Sequence, residues 1–279
     1  MKLYLHLFLL LSISSCRQQY KTNLLASSKS EENKIIKSEF QTIIDSANVN
    51  GAILIYDLHK NNFYSNDFNW TKQGKLPAST FKIANTIIGL ETGVIKNDST
   101  IFKWDGQEKW LDLWEQDLIL RDAFQYSCVP CYQQVATKIG PQRMNEYVKK
   151  IEYGDLKIDS NNISNFWLEG ESRINQMQQI DFLKRFYSGQ LPISVKTQKI
   201  VKQIMVIDTE KYTLSGKTGL SISNEQYNGW FVGYIEVKDN VYFFATNLEP
   251  TNNNIDLSDF IQTRKEITLA ALKALQVIK

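Results

Sequence analysis

The chain has 279 residues, 43% of them hydrophobic and 22% charged, with 13 Gly and 5 Pro. That composition excludes a disordered chain, a collagen-like repeat and a small disulfide-stapled domain, and the length is ample for a buried core. A formal net charge of +2 lacks the basic excess that nucleic-acid binding needs, so no nucleic-acid partner is expected.

The chain opens with Met1-Lys2 and the apolar run from Leu3 to Leu11. This run is short of the roughly 20 residues that span a bilayer, so residues 1–15 read as a signal peptide. Ile13-Ser14-Ser15-Cys16 resembles a bacterial lipobox, in which the cysteine is lipidated and becomes the mature N-terminus. The alternative is ordinary cleavage with Cys16 incidental. The lipobox reading implies an exported, periplasmic protein anchored to a membrane through Cys16. Residues 16–33 are polar and read as a tether. Of the two histidines, His6 leaves with the leader and only His59 remains.

Ile35 to Ala47 has the apolar spacing of a helix, and Gly51 to Asn66 reads as a hairpin with His59 in its loop. His59 is therefore expected to be solvated, which excludes His-paired zinc motifs and argues against a Ser-His-Asp triad. From Leu76 to Met205 the pattern is mainly helical. Phe81 to Leu90 is apolar almost all round, as a buried helix would be, with Pro77 and Gly93 punctuating its ends. Tyr212–Gly216, Gly229–Val237 and Val241–Thr246 read as strands, and Ser258 to Val277 as a closing amphipathic helix. The prediction is an α+β fold: a central antiparallel sheet formed from both chain ends (34–75 and 206–279), flanked by helices, with an inserted all-helical domain (76–205). The seam between the two parts is the natural place for a ligand.

Three short motifs could carry chemistry. Ser79-Thr80-Phe81-Lys82 lies at the start of the buried helix, where a spacing of three puts the hydroxyl and the amine on one face. Alone, that spacing equally fits a helix-capping serine beside an exposed lysine. Lys82, however, sits between Phe81 and Ile83, and a buried lysine is costly unless paired or neutral. Ser127-Cys128-Val129 alone is an ordinary loop serine. Lys217-Thr218-Gly219, at the end of the Tyr212 strand, would supply a cation and a hydroxyl for an anionic substrate, with Gly219 permitting close backbone approach.

In this order the motifs resemble the penicillin-recognising serine enzymes. Tyr153-Gly154-Asp155, Phe166-Trp167-Leu168-Glu169-Gly170, the stretches Gly229–Tyr234 and Val241–Ala245, and Arg264-Lys265-Glu266-Ile267 narrow the resemblance to the class D serine β-lactamases, over nearly the whole chain from about residue 35. The resemblance implies hydrolysis of the β-lactam ring of penicillin-type antibiotics through an acyl-enzyme on Ser79, giving antibiotic resistance. It implies that Lys82 is carboxylated by CO2 to N6-carboxylysine and acts as general base in a pocket of Phe81, Val129, Trp167 and Leu168, with the Trp167 indole donating to the new group. Ser127 would relay a proton to the leaving nitrogen. Lys217, Thr218, Gly219, Leu220 and Arg264 would bind substrate, the N–H groups of Ser79 and Leu220 forming the oxyanion hole. No metal and no cofactor beyond CO2 is implied, and the protein is expected as a monomer or homodimer.

Two features depart from the family. Asp155 stands where an asparagine is usual, which is expected to add a charge at the domain seam. Cys128 and Cys131 bracket the second motif and read as two small buried residues, since a thioredoxin-like context for a redox pair is absent. The competing functions are a β-lactam sensor or penicillin-binding domain that stays acylated, a cell-wall transpeptidase or carboxypeptidase, and a structural lipoprotein. A sensor would be fused to transmembrane helices and a signalling domain, neither of which is read in these residues. A structural role leaves the ordered motifs unexplained.

Overall fold

The computed structural model describes residues 32–207, 212–223, 226–252 and 256–279. The expected leader with His6, the lipidation site Cys16 and the tether through residue 31 lie outside the described residues. Nine strands are described: β1 (Asn33–Ile36), β2 (Val49–Asp57), β3 (Asn62–Ser65), β4 (Ile101–Phe102), β5 (Leu118–Ile119), β6 (Val206–Ile207), β7 (Thr213–Ser223), β8 (Gln226–Val237) and β9 (Asn240–Pro250). Seven of them form one sheet in the order β1-β3-β2-β9-β8-β7-β6, while β4 and β5 make a separate small pair.

The two chain ends meet in this sheet. β2 runs antiparallel to β9 from Val49↔Pro250 to Asp57↔Tyr242, and β9 continues into β8 and β8 into β7, both antiparallel. Alternation along the strands explains why the sheet is covered on both sides. In β2, Leu54 and Tyr56 enter one core while Ile53 and Ile55 enter the other; in β8, Trp230, Val232 and Tyr234 share the first core and Phe231 and Ile235 the second. Successive side chains on a strand point to opposite faces, so each strand builds half of two cores. The second core is closed by α1 (Ser38–Ser46), through Phe40 and Ile44, and by the C-terminal helix Leu257–Ala274, through Phe260, Ile267 and Leu272.

The first core belongs to the helical middle. Its helices are α2 (Lys82–Glu91), α3 (Leu120–Gln125), α4 (Val129–Ile139), α5 (Pro141–Lys150), α6 (Gln176–Tyr187) and α7 (Val195–Met205), and the C-terminal helix is α8. Every residue of α2 from Lys82 to Gly89 is buried, as the apolar run predicts. None of the described helices is long and apolar enough to cross a membrane.

Two predicted boundaries move and one small pair of strands is added. Ile35 and Ile36 belong to strand β1 rather than to the first helix; the chain is held to β3 where the Lys37 N–H donates to Ser65 O at 2.9 Å, and the helix starts only at Ser38. β7 runs on to Ser223, so Lys217-Thr218-Gly219 lies mid-strand rather than at a strand end. Pairing with β8, Leu220↔Gly229 and Ser221↔Asn228 included, extends the strand beyond its aromatic and β-branched start. The small β4–β5 pair, Ile101↔Ile119 and Phe102↔Leu118, was not predicted.

Candidate active site

The first motif sits on a tight 3-10 turn, Ala78–Phe81, that flows directly into α2. Ala78 holds a left-handed φ of +50°, and its N–H donates to Trp167 O at 2.7 Å. The Thr80 hydroxyl donates to Pro77 O at 2.6 Å. These bonds fix the turn and leave Ser79 as its second residue, where a helical N–H has no partner within the helix. Ser79 makes no side-chain cap, and Lys82 is 0% exposed, so the capping-serine alternative fails. Instead the Lys82 amine donates to Ser79 Oγ at 2.7 Å.

Lys82 has no ion-pair partner among the described residues. Its Nζ lies 5.4 Å from the centre of the Tyr132 ring, while its backbone carbonyl accepts from the Thr86 hydroxyl at 2.7 Å. Burial, and second the charge of Lys217, hold its pKa well below the ordinary lysine value. Both effects disfavour the ammonium form. An aromatic wall stands beside it: Phe81 stacks on Trp167 with centroids 5.8 Å apart and meets Phe166 edge-on at 4.9 Å. Val129 and Leu168 are half-buried and pack against the same core. Trp167 is fully buried and its indole N–H has no partner among the described residues. An unpaired buried donor is rare and costly, so it marks a place where an acceptor belongs.

The third motif lies against this turn. Ser127 links α3 to α4 with φ +55° and is half-buried. A Cβ placed on Gly219 would lie 3.1 Å from Thr80 Cγ2 and 3.3 Å from both Ala78 Cβ and Pro77 O. β7 is thus laid close on the turn that bears Ser79, and any side chain at 219 would crowd it. Lys217 is 4% exposed; its amine donates to Thr218 O at 3.2 Å and lies 5.6 Å from the Phe124 ring centre. Burial, then the charges of Arg264 and Lys265, lower its pKa to about 7. Arg264 on α8 donates from Nη1 to Gly219 O and from Nε to Ile261 O, and burial lowers its pKa to about 10. A small cleft opens here, lined by Phe124, Gln125, Ile207, Lys217, Thr218 and Lys265. Leu220, half-buried, follows Gly219 opposite Gly229.

One expectation is corrected. Cys128 and Cys131 are joined in a disulfide across the first turn of α4, with Cα atoms 5.4 Å apart. Both are buried, as expected, but an i,i+3 pair at a helix start lies within bonding range without any thioredoxin-like context. The Asp155 side chain is 70% exposed and pairs with Lys157 at 2.9 Å, while its backbone bridges to Arg173. His59 is exposed in the β2–β3 turn. No described group of three or more His, Cys, Asp or Glu could hold a metal.

Several polar partners were not singled out from the sequence. The Thr86 and Tyr132 hydroxyls share a 2.7 Å hydrogen bond beneath Lys82, and Gln179 Nε2 donates to Thr80 Oγ1 at 2.9 Å. Asn85 and Thr86 interrupt an otherwise apolar run, and that interruption was the available signal. Gln179 and Tyr132 gave none.

A serine-bearing turn at a helix start, with a buried lysine beside the serine and faced by a lysine-bearing strand of an antiparallel sheet, fits the fold of the penicillin-recognising serine enzymes. Residues 42–269 match the penicillin-binding protein transpeptidase domain. The chain is 39% identical to β-lactamase OXA-48 of Klebsiella pneumoniae over 82% of its length and 84% of that protein, and 43% identical to β-lactamase OXA-10 of Pseudomonas aeruginosa over 74% and 79%. The crystal structure of a class D β-lactamase from Sebaldella termitidis superposes with a TM-score of 0.83 at 36% identity, covering 88% of this chain and 100% of that one. The chain belongs to the class D β-lactamases.

Proposed function

We propose that this protein hydrolyses the β-lactam ring through an acyl-enzyme on Ser79, with a CO2-modified Lys82 as general base. One observation carries the reading: Lys82 is fully buried, faces no carboxylate among the described residues, and lies 2.7 Å from Ser79 Oγ. A neutral amine can attack CO2, forming a carbamate and releasing a proton, whereas an ammonium cannot. The unpaired Trp167 indole N–H supports the same reading, because it is a donor awaiting an anionic acceptor within the aromatic wall. Phe81, Val129 and Leu168 keep that surrounding dry. So modified, Lys82 supplies a carboxylate base for both acylation and deacylation.

Ser79 Oγ then attacks the lactam carbonyl. The N–H groups of Ser79 and Leu220 receive the developing oxyanion, and losing one such donor typically costs about 3 kcal/mol of transition-state stabilisation. Ser127 passes a proton to the lactam nitrogen as the C–N bond breaks. Lys217, Thr218 and Arg264 hold the substrate carboxylate by charge-assisted contacts, with Gly219 admitting the substrate edge. Export, cleavage before Cys16 and lipid anchoring to a membrane complete the reading; they are supported by the apolar Leu3–Leu11 run and the small residues before Cys16.

Turnover of a chromogenic cephalosporin by purified protein tests this directly. Continuous hydrolysis is expected. A single stoichiometric burst would identify an acylated sensor or transpeptidase, and silence a structural protein. Replacing Cys16 by Ser should release the protein from the membrane fraction of expressing cells; retention there would contradict the lipid anchor.

A further inference from the structure

The Cys128–Cys131 disulfide has no part in these roles, yet it brackets them. Ser127 precedes the first cysteine and Val129 follows it. The bond spans the first turn of α4, and its cysteines are 1% and 6% exposed. Cys128 is the N-cap of that helix, its sulfur accepting from the Cys131 N–H at 3.2 Å. The Cys128 N–H in turn donates to Ala123 O at 2.8 Å, so the stapled turn is anchored to α3.

Ser127 sits between these anchors with φ +55°, a left-handed conformation that Cβ-bearing residues disfavour. Its hydroxyl bonds to no described group, so the backbone, which sets where its Cβ stands, is what aims the side chain. Its N–H donates to Phe124 O at 3.1 Å, and the preceding carbonyl, Tyr126 O, accepts from the Trp114 indole at 2.9 Å. The chain is therefore held on the α3 side by hydrogen bonds and on the α4 side by a covalent tie. A sulfur cap alone is a weak acceptor.

We propose that the Cys128–Cys131 disulfide is a positioning device for Ser127, holding it in the left-handed conformation from which it delivers a proton to the leaving lactam nitrogen. This rests on the reading of Ser127 as the proton relay. The disulfide then acts on acylation, where the nitrogen leaves, and not on deacylation.

The test has two parts. Alkylation of the denatured full chain without reductant, followed by peptide mapping, should leave Cys128 and Cys131 unmodified; alkylation of both would overturn the proposal. The double variant Cys128→Ser/Cys131→Ala then removes the tie while keeping an oxygen acceptor for the helix cap. In single-turnover measurements with a chromogenic cephalosporin, its acylation should slow by about ten-fold or more while deacylation stays within about two-fold of wild type. Unchanged acylation, or both rates falling together, would overturn it. Ser127→Ala is the reference. If it slows acylation and the cysteine variant does not, only the positioning role falls; if Ser127→Ala acylates at the wild-type rate, the relay role falls and the proposal with it.

Discussion

The Lys82 amine lies 2.7 Å from the Ser79 hydroxyl at a place where Lys82 has no exposed surface and faces no carboxylate among the described residues. A lysine so placed is held toward its neutral form by desolvation, and the nearby charge of Lys217 pushes the same way. Ser79 is thus paired with a buried amine, and the one described histidine, His59, is exposed in the β2–β3 turn.

Replacing Lys82 by Ala should lower kcat by about 10³-fold or more, in line with the loss of a general base. The fold should survive, because the change removes a buried polar group as well as packing. Steady-state hydrolysis compared with circular dichroism checks both statements, and substantial turnover by Lys82→Ala would contradict the assignment.

Trp167→Phe keeps an aromatic ring against Phe81 but deletes the indole N–H that lacks a partner. The expected result is an acyl-enzyme that accumulates, seen by mass spectrometry of the quenched reaction, and partial rescue of turnover by added bicarbonate. Trp167→Ala should show the same kinetic defect with an added cavity cost of about 3–5 kcal/mol. Wild-type hydrolysis by either variant would contradict the indole's role.

Gly219→Ala places a methyl group 3.1 Å from Thr80 Cγ2 and 3.3 Å from Pro77 O. β7 or the Ser79 turn must then give way slightly, and we expect the shift to reach the Leu220 N–H that follows. A loss of about ten-fold or more in kcat/KM is expected from such a displacement, carried mainly by kcat. A KM-only effect would indicate that β7 serves binding alone.

Lys217 links pH to both stability and binding. Its folded pKa is lowered from 10.5 to about 7, so between those values the unfolded chain binds more protons and stability rises with pH. Below about pH 7 the amine is protonated in both states and its contribution is flat. The urea midpoint should therefore climb from pH 7 to 9, and Lys217→Met should lose part of that slope. Over the same range KM for a carboxylate-bearing β-lactam should rise, since the amine loses the charge that attracts the substrate. A midpoint and KM flat across this window would contradict the assignment.

Much of this was legible because the signals were redundant. The β-branched and aromatic run of residues 229–246 can hardly avoid forming strands, and the apolar helix around Lys82 turned an ordinary motif into a buried amine. The edge strand at Ile35–Ile36 was illegible because a β-branched pair beside a helical pattern takes its state from β3, a partner that periodicity does not see. The extension of β7 through Gly219 likewise depends on its register with β8. The disulfide was missed because cysteine spacing alone does not distinguish a reduced buried pair from a bonded one at a helix start. The Asp155–Lys157 pair was illegible for a related reason: a residue's position in a motif does not tell which way its side chain points.

The central claim is the carboxyl group on Lys82, and 13C NMR of the purified enzyme equilibrated with 13C-labelled bicarbonate tests it most directly. The account predicts a carbamate resonance that is absent in Lys82→Ala, disappears on acidification together with activity, and returns with activity when bicarbonate is restored at neutral pH. A fully active enzyme without that resonance would contradict it.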